Sequence, residues 1–279
     1  MSSHANAKRY FVTATHPLSV IDLITRELGT VCDAHIVLKS GGVWLEKTRM
    51  TDPLFKLNQG QTLRVYISTQ QNRIYTLLPQ DIVFEDEHLI VVNKPSKVST
   101  VTTRSDQFYN LTYGVNQYLK TQGIEVNYSP ITRLDYRVSG LTLFAKTAQA
   151  VKTLSLYIQT GKIFKLYEAT LRPFEAPPSC LRIQNKLEYS GRTVESETGK
   201  WAKSLFILNR FSGKNPVYSV IIFTGKRHQI RSHAAQFLSP ILQDDLYGPY
   251  TQNNRPLGLR AVGLNFFAFG KRYRIRLQA

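Results

Sequence analysis

Cysteine is nearly absent from this 279-residue chain: Cys32 and Cys180 are the only two, far apart and without metal-ligand spacing. That usage argues for a reduced, cytoplasmic chain rather than a disulfide scaffold. Long hydrophobic runs are also missing. No stretch approaches the ~20 apolar residues that span a bilayer, and the start, MSSHANAKRYF, lacks the apolar run of a secretory signal. A membrane partner is therefore not expected. Internal repeats are absent as well. What is present is enough apolar material for a core: hydrophobic residues make up 42% of the chain and charged residues only 20%, which argues against disorder.

Negative charge is scarce. Against 36 Lys and Arg stand 19 Asp and Glu, a net charge of +17. The excess is uneven: residues 1–70 carry 8 basic and 5 acidic side chains (+3), residues 71–279 carry 28 and 14 (+14). This exceeds what solubility needs and points to a polyanionic partner, with nucleic acid foremost.

Two regions are expected. Residues 16–70 read as a small α/β unit. Ser19 and Asp22 have capping-box spacing, Val20, Ile21, Ile24 and Leu28 share a helical face, and short strands follow Gly41-Gly42 at Val43–Leu45 and Leu63–Ile67. Thr69–Arg73 is polar and linker-like. Beyond it, Ile82–Phe84 and Leu89–Asn93 flank an acidic turn as a hairpin. Leu141, Leu143 and Ala145 alternate as a strand. Val151, Leu154 and Ile158 form a helix stripe closed by Gly161. Lys165–Leu171 and Val217–Phe223 read as strands, and His228–Phe237 as a helix. Strands dominate without regular helix alternation, so the expected class is α+β with a largely antiparallel sheet.

Four segments draw attention. Arg133-Leu134-Asp135-Tyr136-Arg137 sets one carboxylate between two guanidinium groups, which favour its ionised form. An ionised carboxylate can act as a nucleophile, although the spacing alone fits a surface ion pair better. Lys226, Arg227 and Arg231 cluster where a turn enters a helix, a place that suits phosphate; a solvated basic helix face fits equally. His228 and His233 are five apart, not four, and no carboxylate completes a metal set, so a metal site is rejected. Lys165 and Tyr167 share one strand face, opposite Leu166, as a base-stacking pair or an ordinary amphipathic edge. From Thr251 onward six basic residues and no acidic ones interleave with Phe266, Phe267, Phe269 and Tyr273, an RNA face or a strand with basic residues outward.

Taken in order, these segments resemble the RluA-type family of RNA pseudouridine synthases over roughly residues 80–270. The likeness rests on Phe84 to Pro95 with its Asn93-Lys94-Pro95, on Arg133-Leu134-Asp135 with Ser139-Gly140-Leu141, on Lys165-x-Tyr167-x-Ala169, and on Gly225 with His228-Gln229-Ile230-Arg231-x-His233 and Asp245-Leu246-Tyr247-Gly248. More weakly, residues 16–70 resemble S4-type RNA-binding domains. The sequence departs from the family pattern at Thr132, Val138, Lys226-Arg227 and Arg260, and at Lys97, where glycine is common.

The resemblance implies an S4-like RNA-binding domain at 1–70, a linker at 71–80 and a pseudouridine synthase catalytic domain at 81–279. It implies that Asp135 is the catalytic aspartate, that Arg231 pairs with it, and that Tyr167 packs on the target base and is a candidate for proton transfer at C5. Arg133 would fill the space left by the flipped uridine. Lys94, Lys165, Lys226, Arg227 and His228 complete the expected RNA-contacting set. No metal, no cofactor and a monomeric chain are expected, with rRNA or tRNA as partner. A glycoside hydrolase would need a second carboxylate, and none recurs in these motifs. A non-catalytic RNA-binding or ribosome-assembly protein is the serious alternative.

Overall fold

The computed structural model describes residues 7–124, 129–250 and 255–277. They group into two compact units. The larger holds Leu78–Val98 and the described residues after 125; the smaller holds those of 3–77 together with residues 99–124. The units thus do not follow a single cut near residue 75. Tyr75 and Leu77, within the expected linker, are buried, and Tyr75 N–H donates to Phe108 O at 3.1 Å. Among the described residues no helix is long and apolar enough to cross a membrane.

In the smaller unit, a four-stranded antiparallel sheet runs in the order Ala7–Thr13, Thr62–Ser68, Val43–Leu45, Thr48–Arg49. Helices Val20–Leu28 and Ala34–Lys39 share its core. Leu23, Ile24 and Val37 meet Val12, Val43, Leu63 and Val65 there, all buried. The Ser19–Asp22 pairing forms as the spacing predicts: Ser19 Oγ accepts from Asp22 N–H at 3.2 Å and donates to its carboxylate at 2.5 Å. A further helix, Leu111–Thr121, is capped by Asn110, whose Oδ1 accepts from Tyr113 N–H at 3.0 Å. It buries Leu111, Val115 and Leu119. Gly114 lets it approach Tyr75, since a Cβ there would lie 2.5 Å from the Tyr75 ring.

The larger unit is built on a ten-stranded sheet. Its order is Arg192–Glu195, Cys180–Ser190, Lys200–Ser212, Asn215–Ile222, Phe164–Thr170, Leu259–Ala268, Ser139–Ala145, Leu89–Lys94, Ile82–Glu85, with Lys271–Arg276 paired to Leu259–Ala268. Every pairing is antiparallel except one. Leu259–Ala268 and Ser139–Ala145 meet in parallel at Arg260↔Ser139 and Ala261↔Gly140. Gly140 makes this seam possible: its φ is +114°, and a Cβ would sit 2.1 Å from Ala261 O. The fold is α+β and mostly antiparallel, as the pattern predicts.

Two apolar clusters lie along the sheet. One gathers Tyr167, Phe206, Tyr218, Val220 and Ile230. The other gathers Leu89, Leu143, Leu154 and Phe266, with helix Ala148–Gln159 supplying Leu154. Lys271–Arg276 alternates as expected for a strand with its basic residues outward: Tyr273 and Ile275 are buried, the four cations exposed. The strands Cys180–Ser190 and Lys200–Ser212 went unread in the sequence.

Candidate active site

Asp135 sits in a loop pinned from several sides. Ahead of it, Ile131 N–H donates to Leu143 O at 2.8 Å, and Thr132 Oγ1 accepts from Leu143 N–H at 2.9 Å. Thr132 therefore ties the loop to the strand that follows it. Asp135 O accepts from Val138 N–H at 3.1 Å, closing a turn over buried Leu134 and Val138. Lys97 N–H donates to Tyr136 O at 2.7 Å, and Ser96 Oγ to Arg137 O at 2.8 Å. Lys97 has φ +65°, which explains why this position suits glycine.

Lys94 requires a correction. It was expected to contact RNA, but it is fully buried. Its Nζ donates to the carbonyls of Pro95 (2.9 Å), Val98 (2.8 Å) and Tyr136 (3.4 Å). A phosphate cannot reach it in this arrangement. Burial pushes its pKa down to about 7, against the pull of the Asp135 charge.

Arg231 comes from helix Gln229–Phe237, whose first turns are buried. His228 caps this helix with φ +52°, in the left-handed region. Gln229 fixes the turn before it: Oε1 accepts from Lys226 N–H at 3.0 Å and Thr224 Oγ1 at 2.8 Å, and Nε2 donates to Lys203 O and Ser204 Oγ at 2.9 Å each. His233 lies deeper, with Nδ1 3.0 Å from Ser204 Oγ and Nε2 2.9 Å from Asn185 Oδ1. Burial lowers its pKa to about 4, so it is a neutral tie between helix and sheet.

The arginine joins two carboxylates. Its Nε and one terminal nitrogen donate in parallel to Asp244, both at 2.8 Å. The other terminal nitrogen donates to Asp135 Oδ2 at 3.1 Å. The Asp244 side chain is wholly buried and that of Asp135 is 31% exposed. Burial alone would lower the guanidinium pKa; the Asp244 hydrogen bonds and the two carboxylate charges outweigh it, and the pKa is raised. Sequence reasoning missed Asp244. Its only signal was an acidic residue beside Asp245, which itself pairs with Arg137 at 2.8 Å.

His228 meets the same oxygen: Nε2 lies 3.5 Å from Asp135 Oδ2. Tyr247 OH accepts from Thr193 N–H at 2.6 Å and lies 3.2 Å from His228 Nδ1. With the phenol hydrogen on the Nδ1 side the ring proton lies on Nε2, facing Asp135; with Nδ1 protonated, Nε2 presents a lone pair instead. Burial lowers the His228 pKa to about 4, the Asp135 charge opposing and Arg231 and Arg227 assisting, so the ring is neutral. Asp135 Oδ1 has no hydrogen-bond partner among the described residues.

Tyr167 enters on strand Phe164–Thr170. The register slips between Leu166 and Tyr167, so that Leu166 faces Gly263 and Tyr167 faces Ala261; a bulge of this kind re-aims a side chain. Burial, then the Asp135 charge, raises the Tyr167 pKa, and it is a phenol at neutral pH. One pocket is lined by Arg133, Asp135, Tyr167, Lys226, His228 and Arg231. Lys165 and Arg227 are not part of its lining. Burial lowers the Lys165 pKa, and its Nζ lies beside Gly225. Arg227 lies over the Tyr189 ring at 3.8 Å and lines a neighbouring cavity.

Comparison with known proteins finds relatives of the chain as a whole. The RNA pseudouridylate synthase family description matches residues 88–236, just over half of the chain. Ribosomal large subunit pseudouridine synthase C of Pasteurella multocida is 29% identical over 251 residues, 83% of this chain and 75% of that protein. The dual-specificity RNA pseudouridine synthase RluA of Vibrio cholerae is 30% identical over 180 residues, 61% of this chain and 69% of that protein. The solved structure of human RNA pseudouridylate synthase domain containing 4 superposes with a TM-score of 0.59 at 19% identity, over 72% of this chain and 89% of that one. This last likeness concerns the fold.

Proposed function

Because the chain belongs to the RNA pseudouridylate synthase family and isomerises uridine to pseudouridine in RNA, we propose that Asp135 is its catalytic carboxylate and large-subunit rRNA its substrate class. The observation that carries the first part is the geometry around Asp135. Both protein partners meet Oδ2, which leaves Oδ1 for substrate. The choice of rRNA rests on the relatives named for the large ribosomal subunit; tRNA is the second candidate.

Isomerisation breaks the N1–C1′ bond and joins C5 to C1′. N1 gains a proton and C5 loses one, with no net redox change. Asp135 serves either by attacking or by stabilising the sugar or base as the bond breaks. Arg231, locked on Asp244, fixes the carboxylate in place. Neutral His228 stands 3.5 Å from the same oxygen without adding charge. Tyr167, a phenol in the same pocket, packs on the base in this reading and is the candidate for the proton transfer at C5. The target must leave its stack, at a cost of a few kcal/mol. Exposed Arg133 would fill the vacancy, and Lys226, with Lys165 and Arg227 nearby, would hold flanking phosphates. We take residues 1–70 as an S4-like RNA-binding region of a monomeric, cytoplasmic enzyme; the two short helices packed on a basic sheet support that reading.

The test is pseudouridine mapping on total RNA from a strain lacking the gene. Wild type should modify defined uridines and Asp135→Ala none. Normal modification by the alanine variant removes Asp135 from the chemistry. A wild type that binds rRNA and modifies nothing would be a non-catalytic assembly protein.

A further inference from the structure

In the smaller unit, one face of the four-stranded sheet is packed on the helices; the other carries an alternating aromatic and basic row, covered at its Trp44 and Tyr66 end, where Trp44 Nε1 donates to Arg104 O at 2.8 Å and Arg104 donates to Tyr66 OH at 3.3 Å, and open at its Phe11 end. Three ladders fix the row. Phe11 faces Arg64, Arg64 faces Trp44, and Trp44 faces Arg49. Residues directly opposite in antiparallel ladders point to the same side, so Phe11, Arg64, Trp44 and Arg49 cross the sheet on one face. Arg9, two residues before Phe11, shares that face and lies over the Phe11 ring at 5.0 Å. The intervening residues Val12, Val43, Leu63 and Val65 are buried in the shared core with the helices.

Phe11 is 59% exposed. A large aromatic left open on a strand that turns Val12 into the core and half-buries Tyr10 contributes little to the fold. Charge separates in the same sense. The four strands contain Lys8, Arg9, Arg49 and Arg64 and no acidic residue, whereas the helical stretch from Ser19 to Lys39 sets Asp22, Glu27 and Asp33 against Arg26 and Lys39. Arg49 is committed to structure: it donates to Thr103 O at 2.7 Å and Gln107 Oε1 at 3.0 Å, with its guanidinium 4.8 Å from the Trp44 ring. Arg9 and Arg64 have no acidic partner among the described residues. A ring that offers its face beside unpaired guanidinium groups is the combination that binds single-stranded nucleic acid: bases stack and cations track the phosphates.

We propose that the open part of this sheet face, centred on Phe11 and Arg64, is a stacking platform for single-stranded RNA. It rests on the proposed RNA-binding role of the N-terminal residues and assigns that role to the sheet rather than the helices. It would hold an unpaired strand of the substrate apart from the target uridine.

The experiment uses the full chain and labelled decaadenylate, which carries no uridine and cannot be turned over. Affinity is read by fluorescence anisotropy, and contacts by ultraviolet crosslinking with peptide mapping. Phe11→Ala should weaken binding about tenfold. Arg64→Ala, which needs no aromatic to be lost, should flatten the salt dependence by about 0.7 in log–log slope. Crosslinks should fall on the peptides holding Phe11 or Trp44, and both variants should isomerise a saturating substrate at the wild-type rate. Crosslinks on Val20–Lys39 with unchanged affinity in both variants would overturn the sheet assignment while leaving an RNA-binding N-terminal region. Crosslinks confined to residues 129–277 would overturn both. Neither outcome touches the isomerase reading, which fails only in the mapping assay.

Discussion

The pocket around Asp135 and the open sheet face of the smaller unit are both rich in arginine, and they use it in opposite ways. Arg231 is buried, with a bidentate bond to Asp244 and a single bond to Asp135. Arg9 and Arg64 stand beside aromatic rings with no carboxylate partner among the described residues. A reacting carboxylate needs a cation fixed to a few tenths of an ångström, and burial with a second anion provides that at a desolvation cost. A polyanion that must bind and leave needs cations that are hydrated, exposed and sensitive to salt. Position in the fold, rather than residue type, separates chemistry from binding.

The largest break in this comparison should come from removing the anchor of the buried arginine. Asp244→Ala leaves Arg231 with one partner. Stability should fall by roughly 3–5 kcal/mol and kcat by about 100-fold, read by denaturant melts and single-turnover assays. RNA affinity should change little. If affinity falls in step with kcat, Arg231 is a phosphate contact and the two regions are alike.

Next comes the hydroxyl of Tyr167. Tyr167→Phe keeps the ring and should cost about tenfold or more in kcat with RNA affinity within about threefold. Unchanged kcat would limit Tyr167 to packing.

Smaller is the effect of pH on stability. His228 and His233 fold as neutral rings with pKa near 4, against 6.5 when unperturbed. The unfolded chain therefore binds protons more readily, and stability must fall as pH drops. Their contribution is complete above about 6.5 and is lost progressively down to about 4. His233→Gln, which can replace the two hydrogen bonds only in part, should destabilise at pH 7 and flatten that slope. A slope unchanged by the substitution would mean that His233 is not buried neutral.

Much of the site was legible because its signals are local. Asp135, Tyr167 and Arg231 stand in short motifs whose order could be read. The capping pair Ser19–Asp22 needed only a spacing of three. What escaped depends on contacts through space. Asp244 is one acidic residue among several until the helix carrying Arg231 is laid against it. Lys94 reads as a surface cation, since only the fold shows that Pro95, Val98 and Tyr136 turn their carbonyls on its ammonium. Helix Leu111–Thr121 carried a readable signal in Asn110 and the spacing of Leu111, Val115 and Leu119. Its grouping with the N-terminal unit did not. The strands Cys180–Ser190 and Lys200–Ser212 include long stretches with one wet face, and their hydrophobic pattern is too broken to stand out.

The most direct test of the central claim is a single-turnover measurement on Asp135→Asn with RNA affinity measured in parallel. The amide keeps the shape of the carboxylate and removes its charge. Isomerisation should fall by at least about 1,000-fold while the dissociation constant for RNA stays within about threefold. Turnover near the wild-type rate, or an affinity lost together with activity, would contradict Asp135 as the carboxylate that performs the chemistry.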